Sequence, residues 1–226
     1  LRTQTDNLIF YIPDRYTEGY GISFRGIDTA QSEGCTLIVA LDCGIKAVDK
    51  VAYAKERGID FIICDHHTPG DELPQAVAVL NMKRSDCPYP YKELSGCGVG
   101  FKLVQAYISR HHLPQEQAYT LLPLLAMSIA SDIVPITGEN RVLAYYGLRQ
   151  LNKHPMVGVY AIMQVAGIAD KSITISDLVY KIGPRINAAG RMESGRMAVE
   201  LLTAEDEATA IRIGTEINEH NNERKN

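Results

Sequence analysis

An α/β fold, with a parallel β-sheet flanked by helices and a mostly helical C-terminal part, is what this 226-residue sequence predicts. Three observations predict it. Four short runs rich in Val, Ile or Phe, at residues 8–12, 36–41, 61–64 and 76–80, each give way to polar or turn residues, as strands do. Between the second and third runs, Ala47, Val48, Val51 and Ala54 recur at helical spacing across 47–57, and Gly58 supplies a C-terminal stop. From residue 97 onward the apolar spacing is helical throughout.

Runs apolar on both faces and joined by a crossover helix belong to a parallel sheet covered on both sides. The helical part divides into candidates at 98–111, 114–131, 140–152, 158–165 and 205–224, with Pro114 well placed at a first helical position. The expected organisation is therefore an α/β part at 1–95 and a helical remainder at 96–226 that ends in a connecting helix. Neither an internal repeat nor a low-complexity segment interrupts it.

Composition narrows the class. Hydrophobic residues make up 46% and charged residues 22%, as in ordinary globular proteins. No apolar run approaches the roughly 20 residues that span a bilayer, which argues against a membrane-spanning role. The first ten residues lack the basic start and apolar centre of a secretory signal, so the expected setting is cytoplasmic, and a start at Leu1 fits an excised fragment. A net charge of −4 argues against a uniformly basic surface and leaves room for a local basic groove. Five cysteines without a CxxC pair suit a reducing compartment and read as structural thiols.

Ligands of open parallel sheets bind at the carboxyl ends of the strands. The second run ends in Asp42 and the third in Asp65-His66-His67, so carboxylates and imidazoles meet at neighbouring strand tips. Hard oxygens mixed with imidazole nitrogens suit Mn²⁺, Mg²⁺ or Zn²⁺. Taken alone, Asp42 also reads as a helix cap, and Asp132 as a helix terminator before Pro135. The segment 181–191, with Gly183, Pro184, Arg185, Asn187, Gly190 and Arg191, reads either as a compact phosphate-binding loop or as a solvated turn.

Asp65-His66-His67 after an apolar strand is the name-giving motif of the DHH phosphoesterases, and the chain resembles that family over essentially its whole length. Tyr11-Ile12-Pro13-Asp14-Arg15 with Glu18-Gly19-Tyr20-Gly21, Leu41-Asp42-Cys43-Gly44, the stretch 95–102, Ser131-Asp132-Ile133-Val134-Pro135 and the stretch 183–191 agree in order with its RecJ-type exonuclease branch. The resemblance implies a two-metal site, with Mn²⁺ or Mg²⁺, that hydrolyses phosphodiesters of single-stranded DNA from the 5′ end in recombination and repair. It further implies that Asp42 bridges the metals and that His66 and Asp132 are metal ligands. His67 would contact the scissile phosphate, Asp65 would support it, and Arg185, Asn187 and Arg191 would lie near the DNA path.

One departure stands out. The family's first motif, an Asp-x-Asp pair, belongs upstream of residues 8–12 and nothing here matches it; the DHH-associated and OB-type domains are also lacking. The expectation is a fragment with half its carboxylates missing, inactive or nearly so. Two rival readings remain: a DHH phosphatase of oligonucleotides, small nucleotides or pyrophosphate, and a non-catalytic replication scaffold. Tyr16, Tyr20 and Tyr89 read as loop packing, because base-stacking platforms need exposed rings along a basic groove.

Overall fold

Strands β1 (Leu37–Leu41), β2 (Asp60–Cys64) and β3 (Ala78–Leu80) pair in parallel in that order, with Leu41 opposite Cys64 and Cys64 opposite Leu80. This is the arrangement of a computed structural model that describes residues 4–192 and 195–223. Helix α1 (Phe24–Ser32) precedes the sheet, and α2 (Val48–Lys55) crosses from β1 to β2. After α2, Gly58 takes φ +71°, a left-handed conformation that costs glycine little and turns the chain into β2.

The period-2 alternation of β2 divides the core. Phe61 and Ile63 face Ile27 of α1 and Val51 and Ala54 of α2. Ile62 and Cys64 face the opposite way, toward Leu94, Val99, Leu125 and Ile129. That second face is covered by α3 (Gly96–Arg110) and α5 (Leu122–Ser131), with α4 (Glu116–Tyr119) between them and α6 (Gly138–Lys153) packed along α5. A third cluster, free of strands, joins α7 (Val157–Val165), α9 (Gly183–Met192), α10 (Arg196–Leu202) and α11 (Glu207–Glu223) to the far sides of α5 and α6. Ahead of α9 lie the single turn α8 (Ile175–Asp177), closed by a Thr174–Asp177 capping box, and a π-helical turn at Leu178–Ile182.

The parallel sheet and its crossover helix follow the sequence expectation, and four differences have local causes. Residues 8–12 form no strand: they have no sheet partner among the described residues, and Ile12 lies near Gly195, where an added Cβ would stand 2.9 Å from Ile12 Cγ2. Apolar residues alone do not make a strand when no neighbouring edge is there to pair with. The expected helix at 114–131 breaks at residues 120–121 because Pro123, at the start of α5, lacks the N–H a continuous helix needs. The segment 183–191 is helical rather than a loop, since the π-helical turn directly before it widens the spacing around Pro184, which has no N–H to place, and Ala188 and Ala189 are buried helix formers. Helices α1 and α10 were not anticipated from the apolar spacing.

A candidate metal centre at the strand tips

The register brings three polar side chains side by side. Each strand ends in an apolar residue followed at once by a polar one: Leu41-Asp42, Cys64-Asp65 and Leu80-Asn81. The ladder continues one step past the strands, through the Asp42 N–H to the Cys64 carbonyl at 2.8 Å and the Asp65 N–H to the Leu80 carbonyl at 3.0 Å. Three side chains are thereby fixed along one edge of the sheet.

Asp65 is 1% exposed and acts as the anchor. Its Oδ2 accepts the Ile45 N–H at 2.9 Å, and its Oδ1 accepts from the His67 N–H at 3.2 Å and from His67 Nδ1 at 2.7 Å. Burial alone would raise this carboxyl's pKa, but the bonds from Ile45 and His67 outweigh it and hold the group below the usual carboxylate range. Asn81, 2% exposed, donates to the His67 carbonyl at 2.8 Å and accepts the Lys83 N–H at 2.8 Å. His67 is therefore held at its ring and at its backbone, with the ring nitrogen opposite Asp65 left facing outward.

His66 is oriented differently. Its Nδ1 lies 3.1 Å from the Leu94 carbonyl, an oxygen that only accepts, so Nδ1 donates there and Nε2 is the ring atom turned toward the carboxylates. That Nε2 stands 3.3 Å from Asp42 Oδ1 and 3.3 Å from Asp132 Oδ2. Two donors about 2.1 Å from one cation and roughly 90–110° apart stand about 3.0–3.4 Å from each other. His66 and each carboxylate are thus spaced as pairs of cation ligands and are too far apart for a short charge-assisted hydrogen bond, with Asp132 joined to the cluster through His66. Asp42, His66 and His67 also offer donor atoms lying within 4.8 Å of one another.

Both outer carboxylates sit on unusual backbone. Asp42 has φ +63°, tolerated by Asp better than by most residues. Ile133, directly after Asp132, has φ +53°, a costly conformation for a β-branched side chain and a mark of local strain beside that carboxylate. Burial, though 58% of its side chain stays accessible, is the largest influence raising the Asp42 pKa, with Asp132 adding to it and His66 opposing it. The flanking thiols of Cys43 and Cys97 are pushed up to about 11, chiefly by burial, and are neutral near pH 7, which favours oxygen and imidazole over sulfur as donors.

Gly96 makes room for this arrangement. Ser95 caps α3 by accepting the Gly98 N–H at 3.2 Å, and the next residue lies so close to Asp42 that an added Cβ would stand 2.0 Å from Asp42 Oδ1 and 2.6 Å from Asp42 Cβ. Gly96→Ala is expected to displace Asp42, lowering stability by about 1–3 kcal/mol as other overpacked sites do and any metal-dependent turnover by about 100-fold. Thermal melts and Mn²⁺ titrations of the variant check this, and unchanged Mn²⁺ affinity would contradict it.

The structure brings together Asp42, Asp65, His66, His67 and Asp132. The remaining predicted residues lie on α9, whose first residue, Gly183, would place a Cβ 2.9 Å from Ser131 Oγ, beside Asp132. The Arg185 guanidinium is partly engaged, donating from Nε to Asn218 Oδ1 at 2.8 Å and from Nη1 to the Lys181 carbonyl at 2.7 Å. Asn187 is exposed; the Arg191 side chain lies outside the described residues. Sequence reading passed over Asn81, which had a legible signal as the third polar residue directly after a strand, and the Leu94 carbonyl, which as backbone had none.

Carboxylates and imidazoles converging at the carboxyl edge of a parallel sheet define an α/β protein with a hard-cation site. Comparison with known proteins makes the assignment particular: the DHH family's N-terminal domain matches residues 1–129, and the chain belongs to that family. It is 40% identical over 216 residues to the single-stranded-DNA-specific exonuclease RecJ of Bacillus subtilis (strain 168), covering 96% of this chain and 27% of that protein. Its fold is similar to a crystal structure of exonuclease RecJ bound to manganese, with a TM-score of 0.84 and 30% identity over 95% of this chain and 54% of the other. A structure of RecJ in complex with Mn²⁺ from Thermus thermophilus gives 0.79 and 28% over 90% of this chain and 30% of that one.

Proposed function

We propose that this chain carries much of the catalytic core of a metal-dependent exonuclease that hydrolyses single-stranded DNA in the 5′-to-3′ direction, serving recombination and repair in the cytoplasm. The observation that carries the reading is the locked His66, whose free Nε2 stands 3.3 Å from each of two carboxylates. The relatives' manganese-bound structures point the same way. On this reading Asp42, His66 and Asp132 would hold Mn²⁺ or Mg²⁺, with Asp42 the bridging carboxylate of a two-metal site. When bound, such cations draw charge from phosphoryl oxygens and acidify water.

The chain's own residues position the substrate. Asp65 fixes the His67 ring so that its outward nitrogen meets a phosphate oxygen, and Arg185, Asn187 and Arg191 contact the backbone of the strand. The division into an α/β part at 1–95 and a helical remainder at 96–226 is proposed alongside: among the described residues all strands precede residue 81 and only helices follow residue 95, although the middle core draws on both sides. No helix among the described residues is long and apolar enough to cross a membrane.

The test is Mn²⁺-dependent digestion of 5′-labelled single-stranded DNA by the intact gene product that carries this chain. Release of 5′-mononucleotides, abolished by chelator, is the expected outcome. Hydrolysis confined to pyrophosphate or the shortest oligonucleotides would replace the exonuclease with a small-substrate phosphatase. Binding of DNA without hydrolysis of any of these would leave a scaffold.

A further inference from the structure

We propose that Asn140 is a positioning residue for the metal centre: one buried amide that ties the arm carrying Asp132 to the arm that orients His66. The inference rests on the metal-centre reading and goes beyond it by naming what sets the distance between its two halves. His66 is supplied from the sheet and aimed by the Leu94 carbonyl, whereas Asp132 comes from the end of α5 on a separate loop. Nothing in the sheet ladder links the two.

Asn140 supplies a link at backbone level, beside the side-chain bond of 3.0 Å from Ser128 Oγ of α5 to Ser95 Oγ. It is 0% exposed, and its Nδ2 donates both of its protons to backbone carbonyls, to Glu93 at 2.5 Å and to Pro135 at 3.0 Å. Glu93 adjoins Leu94, which holds His66; Pro135 is three residues past Asp132. Two carbonyls brought close together repel unless a group with two N–H bonds stands between them, and the amide nitrogen of the buried Asn140 is such a group. Because both neighbours only accept, the amide orientation is settled, with Oδ1 left without a hydrogen-bond partner among the described residues.

The same turn of α6 closes a wider clasp. Tyr91 donates to the Pro135 carbonyl at 3.1 Å, and its ring fills the space over Gly138, where an added Cβ would stand 2.8 Å from Cε2. Glu139 accepts the Tyr89 hydroxyl at 2.6 Å and pairs with Lys102 of α3. Gly138, Glu139 and Asn140 each grip the 89–94 loop, and of these three Asn140 bonds to the backbone of both arms. Removing it takes away the donor shared by the two carbonyls and lets the His66–Asp132 spacing relax.

The experiment compares Asn140→Ala with Ile162→Ala, a truncation in α7 within the strand-free cluster, in the intact gene product. Mn²⁺ dissociation constants are read by electron paramagnetic resonance of the free ion at a temperature where circular dichroism shows each protein folded. Asn140→Ala is expected to weaken Mn²⁺ binding about 10-fold or more, as loss of a ligand's supporting shell does. Ile162→Ala, with a melting temperature lowered to a similar extent, is expected to bind as the unsubstituted protein does. In metal-free protein, the nitrogen shifts of His66 should change from a single tautomer to a mixture only in Asn140→Ala. Should that variant fail to fold, Tyr91→Phe, which removes one donor to Pro135, should weaken Mn²⁺ by about 3-fold. Unchanged affinity in the folded Asn140 variant, or in Tyr91→Phe if that variant is unfolded, overturns the proposal, as does equal loss in Asn140→Ala and Ile162→Ala. No Mn²⁺ binding by the unsubstituted protein instead removes the metal-centre reading beneath it.

Discussion

Asp42→Ala in the intact gene product is expected to lower kcat by about 1,000-fold or more, the scale on which removal of a central charge-stabilising group acts. Asp42 has His66 Nε2 3.3 Å away and shares with His66 and His67 the set of donor atoms that lie within 4.8 Å of one another. Its loss removes a negative charge that no neighbour replaces, since Asp132 lies across His66. Stability should change little by comparison. Alanine at φ +63° is strained by about 1–2 kcal/mol, while removing a carboxyl whose ionised form burial disfavours works in the opposite sense. Asp42→Gly separates the two effects, because glycine accepts the backbone without strain. Activity should be as low in the glycine variant as in the alanine variant, while its melting temperature should be higher. A kcat within about tenfold of the unsubstituted enzyme at saturating Mn²⁺ would contradict the bridging role.

The centre was legible in the sequence where it rests on strands and hidden where it rests on contacts between loops. Apolar runs fix where β1 and β2 end, and the residue after a strand end is where a parallel sheet presents ligands, so Asp42 and Asp65-His66-His67 could be read directly. Asp132 has no such frame; a helix end before Pro135 gave it a bland alternative, only the family resemblance pointed to it, and its 3.3 Å approach to His66 is what the structure adds. Gly96 was quoted within a family-like stretch, yet its reason, the volume of the Asp42 side chain, is a contact between residues 54 apart in sequence. Asn140 carries no periodic or motif signal at all, because what makes it count is a pair of carbonyls from two loops.

The helical part shows the converse error. Gly183, Pro184 and Gly190 suggest a loop by residue type, but the π-helical turn at Leu178–Ile182 and the buried Ala188 and Ala189 carry the chain through them as helix. Local breakers are overridden when a π-helical turn makes room for a proline without an N–H and the next residues have a core to bury into. The consequence for function is that Arg185 presents from a packed helix with its guanidinium already tied to Asn218 and Lys181, so any phosphate contact it makes comes from a fixed position.

His67→Ala should separate turnover from metal binding. His67 touches Asp65 through Nδ1 at 2.7 Å, and 60% of its side chain is exposed, so it stands at the mouth of the site where a phosphate would arrive. His66, by contrast, has 11% of its side chain exposed and lies between the two outer carboxylates. If His67 acts on the phosphate, its removal lowers kcat by about 100- to 1,000-fold while the Mn²⁺ dissociation constant stays within about 3-fold. If it is a ligand instead, as its place within the 4.8 Å set permits, Mn²⁺ affinity falls and turnover returns as the metal is raised. His66→Ala should show this second pattern. Asp65→Asn supplies the intermediate case: it keeps an acceptor for the Ile45 N–H but removes the charge that orients the His67 ring, so kcat should fall by less than in His67→Ala with Mn²⁺ binding intact. Equal losses of metal affinity in His66→Ala and His67→Ala would make both imidazoles ligands and leave the arriving phosphate to the α9 residues.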